Sequence, residues 1–232
     1  MLAYSLSFCL SASDGLRINY VVGVEKQPYA PYFYIEDDQY LGFARELLDR
    51  FANAKNITFE YKPYSINELF PALKNDEVHF KFPDSPSWKY PQKMGVKWYY
   101  SDPVVPYIDG ALVNSFDQRN GIKNLKKIGT ITGFTPWGYH HLIQYNKLDL
   151  VESDNIDGLV TLLLSRDVDA IYANVQVLVH HLRMNRPASF AKISFNTNLP
   201  YTKHQYLLST IKEQAVLNQF NQFLKDFKFI FI

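Results

Sequence analysis

Asp84, Ser85 and Trp88 lie together in a proline-rich segment, and their side chains could do chemistry. A carboxylate, a hydroxyl and an aromatic ring suit the recognition of a small solute that is cationic, or polar and partly planar. The segment follows Phe82, which ends a predicted buried strand, and leads through a proline turn into a second apolar strand. Open α/β sheets bind ligands at such strand ends. We therefore predict that residues 78–113 form half of a binding cleft and the first hinge beside it.

Charge and composition argue against several partners. The chain has 24 Lys and Arg against 23 Asp and Glu, with a net charge of +1 and no dense basic run. This pattern disfavours a nucleic-acid partner or a polybasic membrane patch. Aromatic residues make up 16% of the chain, including 17 Tyr. Tyrosine at this density often lines sites that contact flat or apolar ligands.

The sequence predicts no metal, cofactor or hydrolytic triad. The pairs His140-His141 and His180-His181 fall in predicted helices, where neighbouring side chains point about 100° apart and cannot share one ion. No spaced carboxylate completes a ligand set. A Gly-x-Ser-x-Gly elbow and a glycine-rich phosphate loop are also missing from the sequence.

Residues 1–13 are typical of a secretory signal peptide, although no Lys or Arg precedes the apolar segment. That segment spans residues 2–10, and Ser11 and Ser13 suit a cleavage site after residue 13. Cys9 is the single cysteine, so the cleaved chain would contain no disulfide. No other apolar run approaches the roughly 20 residues that span a bilayer. We predict export to the periplasm.

Apolar periodicity predicts alternating strands and helices in two similar units. In the first unit, strands are predicted at 17–23, 57–61 and 78–82, the last ending at Pro83, with helices at 42–55 and from a capping box at Ser65 and Glu68. The second unit has predicted strands at 108–113, 127–131, 148–152, 168–172, 192–195 and 205–209. Its helices are predicted from Thr135 as N-cap with Pro136 first, at 154–166, from Asn174 as N-cap to 183, and at 210–227. Such alternation indicates parallel sheets flanked by helices.

Six short motifs occur in one order between residues 17 and about 226. They are Tyr29-Ala30-Pro31-Tyr32, Gly42-Phe43 with Glu46-Leu47, Phe70-Pro71-Ala72-Leu73, Tyr100-Ser101-Asp102-Pro103, Ile131-Thr132-Gly133 and Val168-Asp169-Ala170-Ile171. In this order and spacing they resemble the family 3 periplasmic solute-binding proteins, the polar amino acid-binding relatives of bacterial ABC importers.

The resemblance implies an α/β, two-lobed type II periplasmic-binding fold with a ligand cleft between the lobes. Lobe one would hold residues 14–106 plus 205–232, and lobe two residues 107–204. It also implies a non-enzymatic, monomeric binding protein that captures a small polar solute, an amino acid or a similar molecule, by hinge closure. Its partners would be the membrane subunits of an ABC importer.

The resemblance also implies ligand contacts. Tyr29, with Tyr32 nearby, stands where the family places an aromatic ring, and the 84–88 loop where backbone and hydroxyl groups hold a carboxylate. The segment from Gly133 to Thr135 would be a helix start suited to an anion. Phe82 and Tyr172, at predicted strand ends, complete the expected contacts together with Asn174.

Two departures from the family pattern change the expected ligand. The 84–88 loop and its continuation contain no arginine to grip a carboxylate with two parallel hydrogen bonds, and Lys89 or Lys93 would be a poor substitute. Asn174 replaces the acid that pairs with the ligand ammonium. A standard α-amino acid is therefore disfavoured.

Two alternatives remain open at this stage. The domain could be the ligand-sensing partner of a membrane signalling protein. It could also be an enzyme similar to the cyclohexadienyl dehydratases, with Asp84 as the general acid. No second catalytic group is visibly placed to work with Asp84.

Overall fold

The computed structural model describes residues 17–88 and 90–226. The predicted signal peptide at 1–13 with Cys9, the lysine at 89 and the apolar end at 227–232 lie outside the described residues. Within the described ranges, no helix has the length and apolar character needed to cross a membrane.

The first half of the chain alternates strands and helices largely as predicted. It contains β1 (Ile18–Glu25), β2 (Tyr34–Glu36), β3 (Gln39–Leu41), α1 (Phe43–Lys55), β4 (Ile57–Tyr64), α2 (Ile66–Lys74), β5 (Phe80–Asp84), α3 (Tyr90–Lys93) and β6 (Tyr99–Tyr100). The predicted capping box that starts α2 is present between Ser65 and Glu68. The short hairpin of β2 and β3 was not predicted. Its turn residues Asp37 and Asp38 both adopt positive φ, as a tight hairpin turn requires.

The second half continues the alternation. It contains β7 (Val105–Asn114), β8 (Lys127–Ile131), α4 (His140–Gln144), β9 (Asp149–Ser153), α5 (Ile156–Leu164), β10 (Ala170–Asn174), α6 (Val175–Asn185), α7 (Pro187–Phe190), β11 (Ile193–Phe195), β12 (Thr202–Thr210) and α8 (Gln214–Asp226). Asn174 caps α6 as predicted, because its side-chain oxygen accepts hydrogen bonds from the backbone N–H groups of Gln176 and Val177.

One strand joins two groups of parallel strands. The sheet order is β4-β1-β5-β12-β7-β10-β8-β9, with β6 beside β12 and β11 beside β7. Strands β4, β1 and β5 are parallel to one another, and so are β10, β8 and β9. Strand β12 pairs antiparallel with β7 up to Tyr206 and with β5 from Leu207. Each parallel group therefore has its own helices, and the chain passes between the groups along β7 and β12.

The prediction that a strand ends at Pro83 is wrong, because β5 continues through Pro83 to Asp84. The partner strand β12 has an irregular register between Leu207 and Ser209, opposite this proline. A proline is tolerated where the ladder needs no N–H donor. The extra residues bring Asp84 into a fully buried position.

The predicted helix start at Thr135 and Pro136 is also wrong. A single 3₁₀ turn at Trp137–Tyr139 precedes the five-residue α4, and the Thr135 side chain makes no capping bond. A tertiary contact explains the difference. The Tyr139 hydroxyl donates to the Pro200 carbonyl at 3.1 Å, and a Cβ on Gly138 would lie 2.6 Å from Pro200 Cβ. Packing against Pro200 thus overrides the local helix signal.

Candidate ligand-binding site

A cavity of about 560 Å³ opens where strands of both parallel groups end. Its size lies within the range of small-molecule sites. It is lined by Glu25, Tyr29, Ile66, Phe70, Lys81, Ser87, Trp88, Tyr107, Asp109, Gly133, Phe134, Thr135, Trp137, Tyr172, Thr202, His204 and Tyr206. The described part of the lining is rich in aromatic rings and contains two carboxyl groups and one lysine.

Three rings form one continuous wall of the cavity. Tyr107 on β7 and Tyr206 on β12 stack with centroids 4.3 Å apart, and the Trp88 ring lies 5.8 Å from each of them. The two tyrosines come together because β7 and β12 are paired strands. Burial is the main reason that the pKa of Tyr107 and of Tyr206 is raised, so both hydroxyls stay neutral at physiological pH. This wall is a fixed apolar surface with polar tips.

Asn174 connects opposite sides of the cavity. Its backbone N–H donates to the Tyr29 hydroxyl at 3.2 Å, and its side-chain Nδ2 donates to the Tyr206 hydroxyl at 2.9 Å. Its Oδ1 accepts the two capping bonds from α6, at 2.9 and 3.1 Å. Asn174 is fully buried and does not line the cavity. Asn174 instead holds in place Tyr29 and Tyr206, which do line the cavity.

Two carboxyl groups face the cavity, that of Glu25 from strand β1 and that of Asp109 from strand β7. Asp109 lies on β7, and burial, with a further effect from the Glu25 carboxylate, raises its pKa to about 7. Glu25 ends β1; burial raises its pKa too, although the nearby Lys81 ammonium opposes the shift. A cation bound beside these carboxyl groups would favour their charged form, whereas an anion would oppose it.

A buried ion-pair cluster borders the cavity, and two of its members, Glu25 and Lys81, belong to the lining. The Lys93 Nζ donates to Asp84 Oδ1 at 2.9 Å and to the Ser85 carbonyl at 2.5 Å. The Lys81 Nζ donates to the Pro83 carbonyl and lies 3.7 Å from Glu25 Oε1 and 3.9 Å from Asp84 Oδ1. Burial lowers the pKa of Lys93, and the Asp84 carboxylate counteracts that effect. The cluster holds the loop after β5 against the sheet.

The structure places five of the ten sequence-predicted ligand residues on the cavity wall. They are Tyr29, Trp88, Gly133, Thr135 and Tyr172. The other five are buried and do not line the cavity: Tyr32, Phe82, Asp84, Ser85 and Asn174. Among them, Asp84 pairs with Lys93 and Asn174 caps α6, and the expected ligand contacts of the five stay predictions.

The expected anion site at Gly133 is also changed by the structure. No helix begins there, and the Gly133 N–H already donates to Glu152 Oε1 at 3.1 Å. The Phe134 N–H donates to the Ile131 carbonyl at 2.9 Å. These two backbone donors are therefore occupied.

Sequence reasoning missed the charged residues of the cavity. Asp109 and Lys81 interrupt apolar strands, in the runs YIDGALV and FKF, and Glu25 ends a third strand. A charged residue inside an otherwise apolar strand is a usable signal, because such a residue is rarely buried without a partner or a function. In the part of the chain that the structure describes, no group of three His, Cys, Asp or Glu side chains is placed to hold a metal ion.

Comparison with known proteins supports the motif-based interpretation. Residues 20–84 match the bacterial extracellular solute-binding proteins, family 3. The probable histidine-binding protein of Neisseria gonorrhoeae is 23% identical over 79% of this chain and 68% of its own length. The membrane-bound lytic murein transglycosylase F of Shewanella loihica is 30% identical over 45% of this chain. The chain spans about a quarter of that transglycosylase, since the match covers 25% of its length.

Solved structures show the fold. An ancestral arginine-binding protein bound to arginine has a TM-score of 0.72, with 20% identity, and the match covers 91% of this chain and 93% of that one. The fold is therefore the two-lobed α/β fold of the periplasmic binding proteins. The predicted resemblance to the family 3 solute-binding proteins is confirmed over residues 20–84 by the family match.

Proposed function

We propose that this chain captures a small polar solute between two lobes by hinge closure, without chemical turnover. The observation that carries the proposal is the cavity of about 560 Å³, whose walls come from both predicted lobes. Tyr29 and Trp88 belong to predicted lobe one, and Asp109, Gly133 and Tyr172 to lobe two. A ligand in this space would contact both lobes and so favour the closed arrangement.

Contacts across the cavity support closure as the binding step. The Asn174 N–H reaches the Tyr29 hydroxyl, and the Tyr29 and Phe134 rings lie 5.7 Å apart. A Cβ on Gly133 would lie 3.7 Å from Ile66 Cβ, so its loop approaches the start of α2. All three contacts join segments on different sides of the predicted lobe boundary. Separating the lobes would break them, and ligand contacts would add to them.

We further propose a periplasmic, monomeric protein that serves an ABC importer. The family match and the shared fold support this setting. A sensing role is the second candidate. The murein transglycosylase match covers a quarter of that protein and is compatible with such a role only in that a similar segment occurs within a larger chain. A dehydratase-type activity loses its proposed general acid, since Asp84 is fully buried and paired with Lys93 behind the wall.

A thermal-shift screen of the purified protein tests the proposal. The panel contains amino acids, amines, sugars and small organic acids. A ligand at 100 times its dissociation constant adds roughly 2.7 kcal/mol to the free energy of unfolding. We expect a hit that also reduces the radius of gyration in solution scattering and is recovered chemically unchanged. A ligand that is converted, or a complete lack of binding across the panel, would contradict the proposal.

A further inference from the structure

The carboxyl group of Asp109 has no hydrogen-bond or ion-pair partner among the described residues, although it lies on the cavity wall. Its neighbours across the paired strands are Asn174 on β10 and Thr202 on β12. The Asn174 side chain is already committed to α6 and to Tyr206. A carboxyl group that faces an enclosed space without a partner is a ready binding group for a ligand.

Among the described residues, the two buried lysines pair with Glu25 and Asp84, which leaves the Asp109 carboxyl group without a basic partner. Three carboxyl groups, those of Glu25, Asp84 and Asp109, face two buried lysines, Lys81 and Lys93. Both lysines are engaged with Glu25 or Asp84, and no contact joins either lysine to Asp109. A bound cation would supply the missing charge.

The cavity has little to offer a ligand carboxylate. Among the described residues, none that lines the cavity is an arginine. The one described lysine of the lining, Lys81, is 1% exposed and donates to the Pro83 carbonyl. The Lys81 Nζ also lies 3.7 Å from Glu25 Oε1, so an anion that approached this ammonium would meet a carboxylate beside it. The backbone donors at Gly133 and Phe134 are used internally.

The rest of the lining favours a positively charged group. Aromatic faces attract cations through their ring quadrupoles, and the effect is larger where water is excluded. The wall of Trp88, Tyr107 and Tyr206 lies in the same cavity as Asp109, with further rings from Tyr29, Phe70, Phe134, Trp137 and Tyr172. A compact organic cation could contact a ring face and the Asp109 carboxylate together.

From these observations we infer that the solute is a small organic cation that carries no carboxylate group, with Asp109 as its counter-ion. The inference rests on the proposed solute-binding function and specifies its ligand class. Asp109 on strand β7 then determines the specificity for charge, and Asp84, paired with Lys93, has a positioning role.

Other titratable groups around Asp109 bear on how binding depends on pH. They are Glu25 from β1, Lys81 from β5, Tyr107 on the same strand, Tyr172 from β10, His204 and Tyr206 from β12, and Tyr29 and Tyr32 from the loop after β1. The tyrosines have raised pKa values and stay neutral near pH 7. Comparing the wild type with Asp109→Asn at each pH isolates Asp109 from His204, which is present in both proteins.

Matched ligand pairs test the inference. Isothermal titration of the purified protein compares agmatine with arginine, cadaverine with lysine and histamine with histidine, which differ only in the α-carboxylate. We expect each amine to bind at least about tenfold more tightly than its amino acid. The Asp109→Asn variant should bind the amine at least about tenfold more weakly than the wild type does. Asp38→Asn, a change of the same chemistry in an exposed turn, should bind like the wild type.

The pH dependence of binding is a second test. For cadaverine, wild-type affinity should rise from pH 6 to 8, and this rise should be smaller in Asp109→Asn.

The outcomes separate this inference from the proposed function. An amino acid that binds more tightly than its amine, a sugar or organic acid as the true ligand, or full affinity in Asp109→Asn would overturn the inference alone and leave solute binding intact. If none of the six compounds binds but another carboxylate-free cation from the thermal-shift panel binds in an Asp109-dependent way, the inference stands. If no compound of the whole panel binds, both the inference and the proposed function are overturned.

Discussion

The backbone N–H of Asn174 donates a 3.2 Å hydrogen bond to the hydroxyl of Tyr29, which lies 145 residues earlier in the chain. Both residues are buried, and the bond joins the loop after β1 to the carboxyl end of β10. The Tyr29 ring also lines the cavity. One tyrosine therefore both borders the cavity and links its two sides by a hydrogen bond.

Tyr29→Phe keeps the ring and removes that hydroxyl. The buried Asn174 N–H then loses its acceptor, so we expect the free energy of unfolding of the free protein to fall by about 1–3 kcal/mol. Urea denaturation without ligand measures this cost. Tyr40→Phe is the matched control, because the Tyr40 hydroxyl is equally buried but has no hydrogen-bond partner. Equal losses in both variants would show that the Tyr29 hydrogen bond contributes nothing specific.

Asp84→Asn removes the charge that neutralises buried Lys93. Because both side chains are withdrawn from water, the unpaired ammonium should cost about 3–5 kcal/mol, measured by urea denaturation. Asp76→Asn makes the same chemical change in the exposed ion pair with Lys212, where the expected cost is about 0–1 kcal/mol. Asparagine tolerates the positive φ of Asp76, so backbone strain does not confuse the control. A small loss in Asp84→Asn would disprove a structural role for this pair.

Asp109→Asn should change how the stability of the free protein depends on pH. Burial raises the pKa of Asp109 to about 7 from a usual value near 3.8. Between these values the folded protein holds a proton that the unfolded chain releases, so the wild type loses stability as pH rises through this window. Asparagine does not ionise, so the variant does not lose this stability as pH rises. We therefore expect the two proteins to be alike near pH 4 and the variant to be more stable by up to about 4 kcal/mol at pH 8, the free energy that corresponds to a pKa of about 7 instead of 3.8.

Unfolding free energies at pH 4.5, 6 and 8 check this expectation. Contributions from groups that are present in both proteins cancel in the difference between them. A difference between the two proteins that stays constant with pH would show that Asp109 ionises normally in the folded protein. Asp38→Asn serves again as the exposed control and should follow the wild type throughout.

The secondary structure was predictable where short-range chemistry determines it. The capping box of Ser65 and Glu68 starts α2, and Asn174 caps α6, because the bonds involved span three residues or fewer. The same reasoning failed at Thr135, where the following segment packs against Pro200 about 60 residues later. It also ended β5 too early, because the register shift of β12 that accommodates Pro83 cannot be read from β5 alone.

The cavity was only half predictable for a related reason. Tyr29 and Trp88 stand out in loops and do line the cavity, but Asp109 lies in a strand whose apolar neighbours suggest core. Whether its side chain faces a cavity depends on the pairing of β7 with β10 and β12. Asp84 looked like a ligand contact because its loop position is typical of one. Its partners Lys81 and Lys93 become visible only when β5 and α3 are placed in space.

Asn174→Ala should be more costly than loss of an ordinary helix cap. At Asn155, the exposed N-cap of α5, the side chain accepts one hydrogen bond, from the Gly158 N–H at 2.8 Å, so Asn155→Ala should cost about 1 kcal/mol. Asn174→Ala removes two capping bonds and also leaves the buried Tyr206 hydroxyl without its donor. We expect a loss of about 2–4 kcal/mol by urea denaturation. Because Tyr206 belongs to the aromatic wall, this variant should also bind solute less tightly, whereas Asn155→Ala should bind normally. If both variants lose the same stability and retain the same affinity, Asn174 acts as a cap alone and has no part in shaping the cavity.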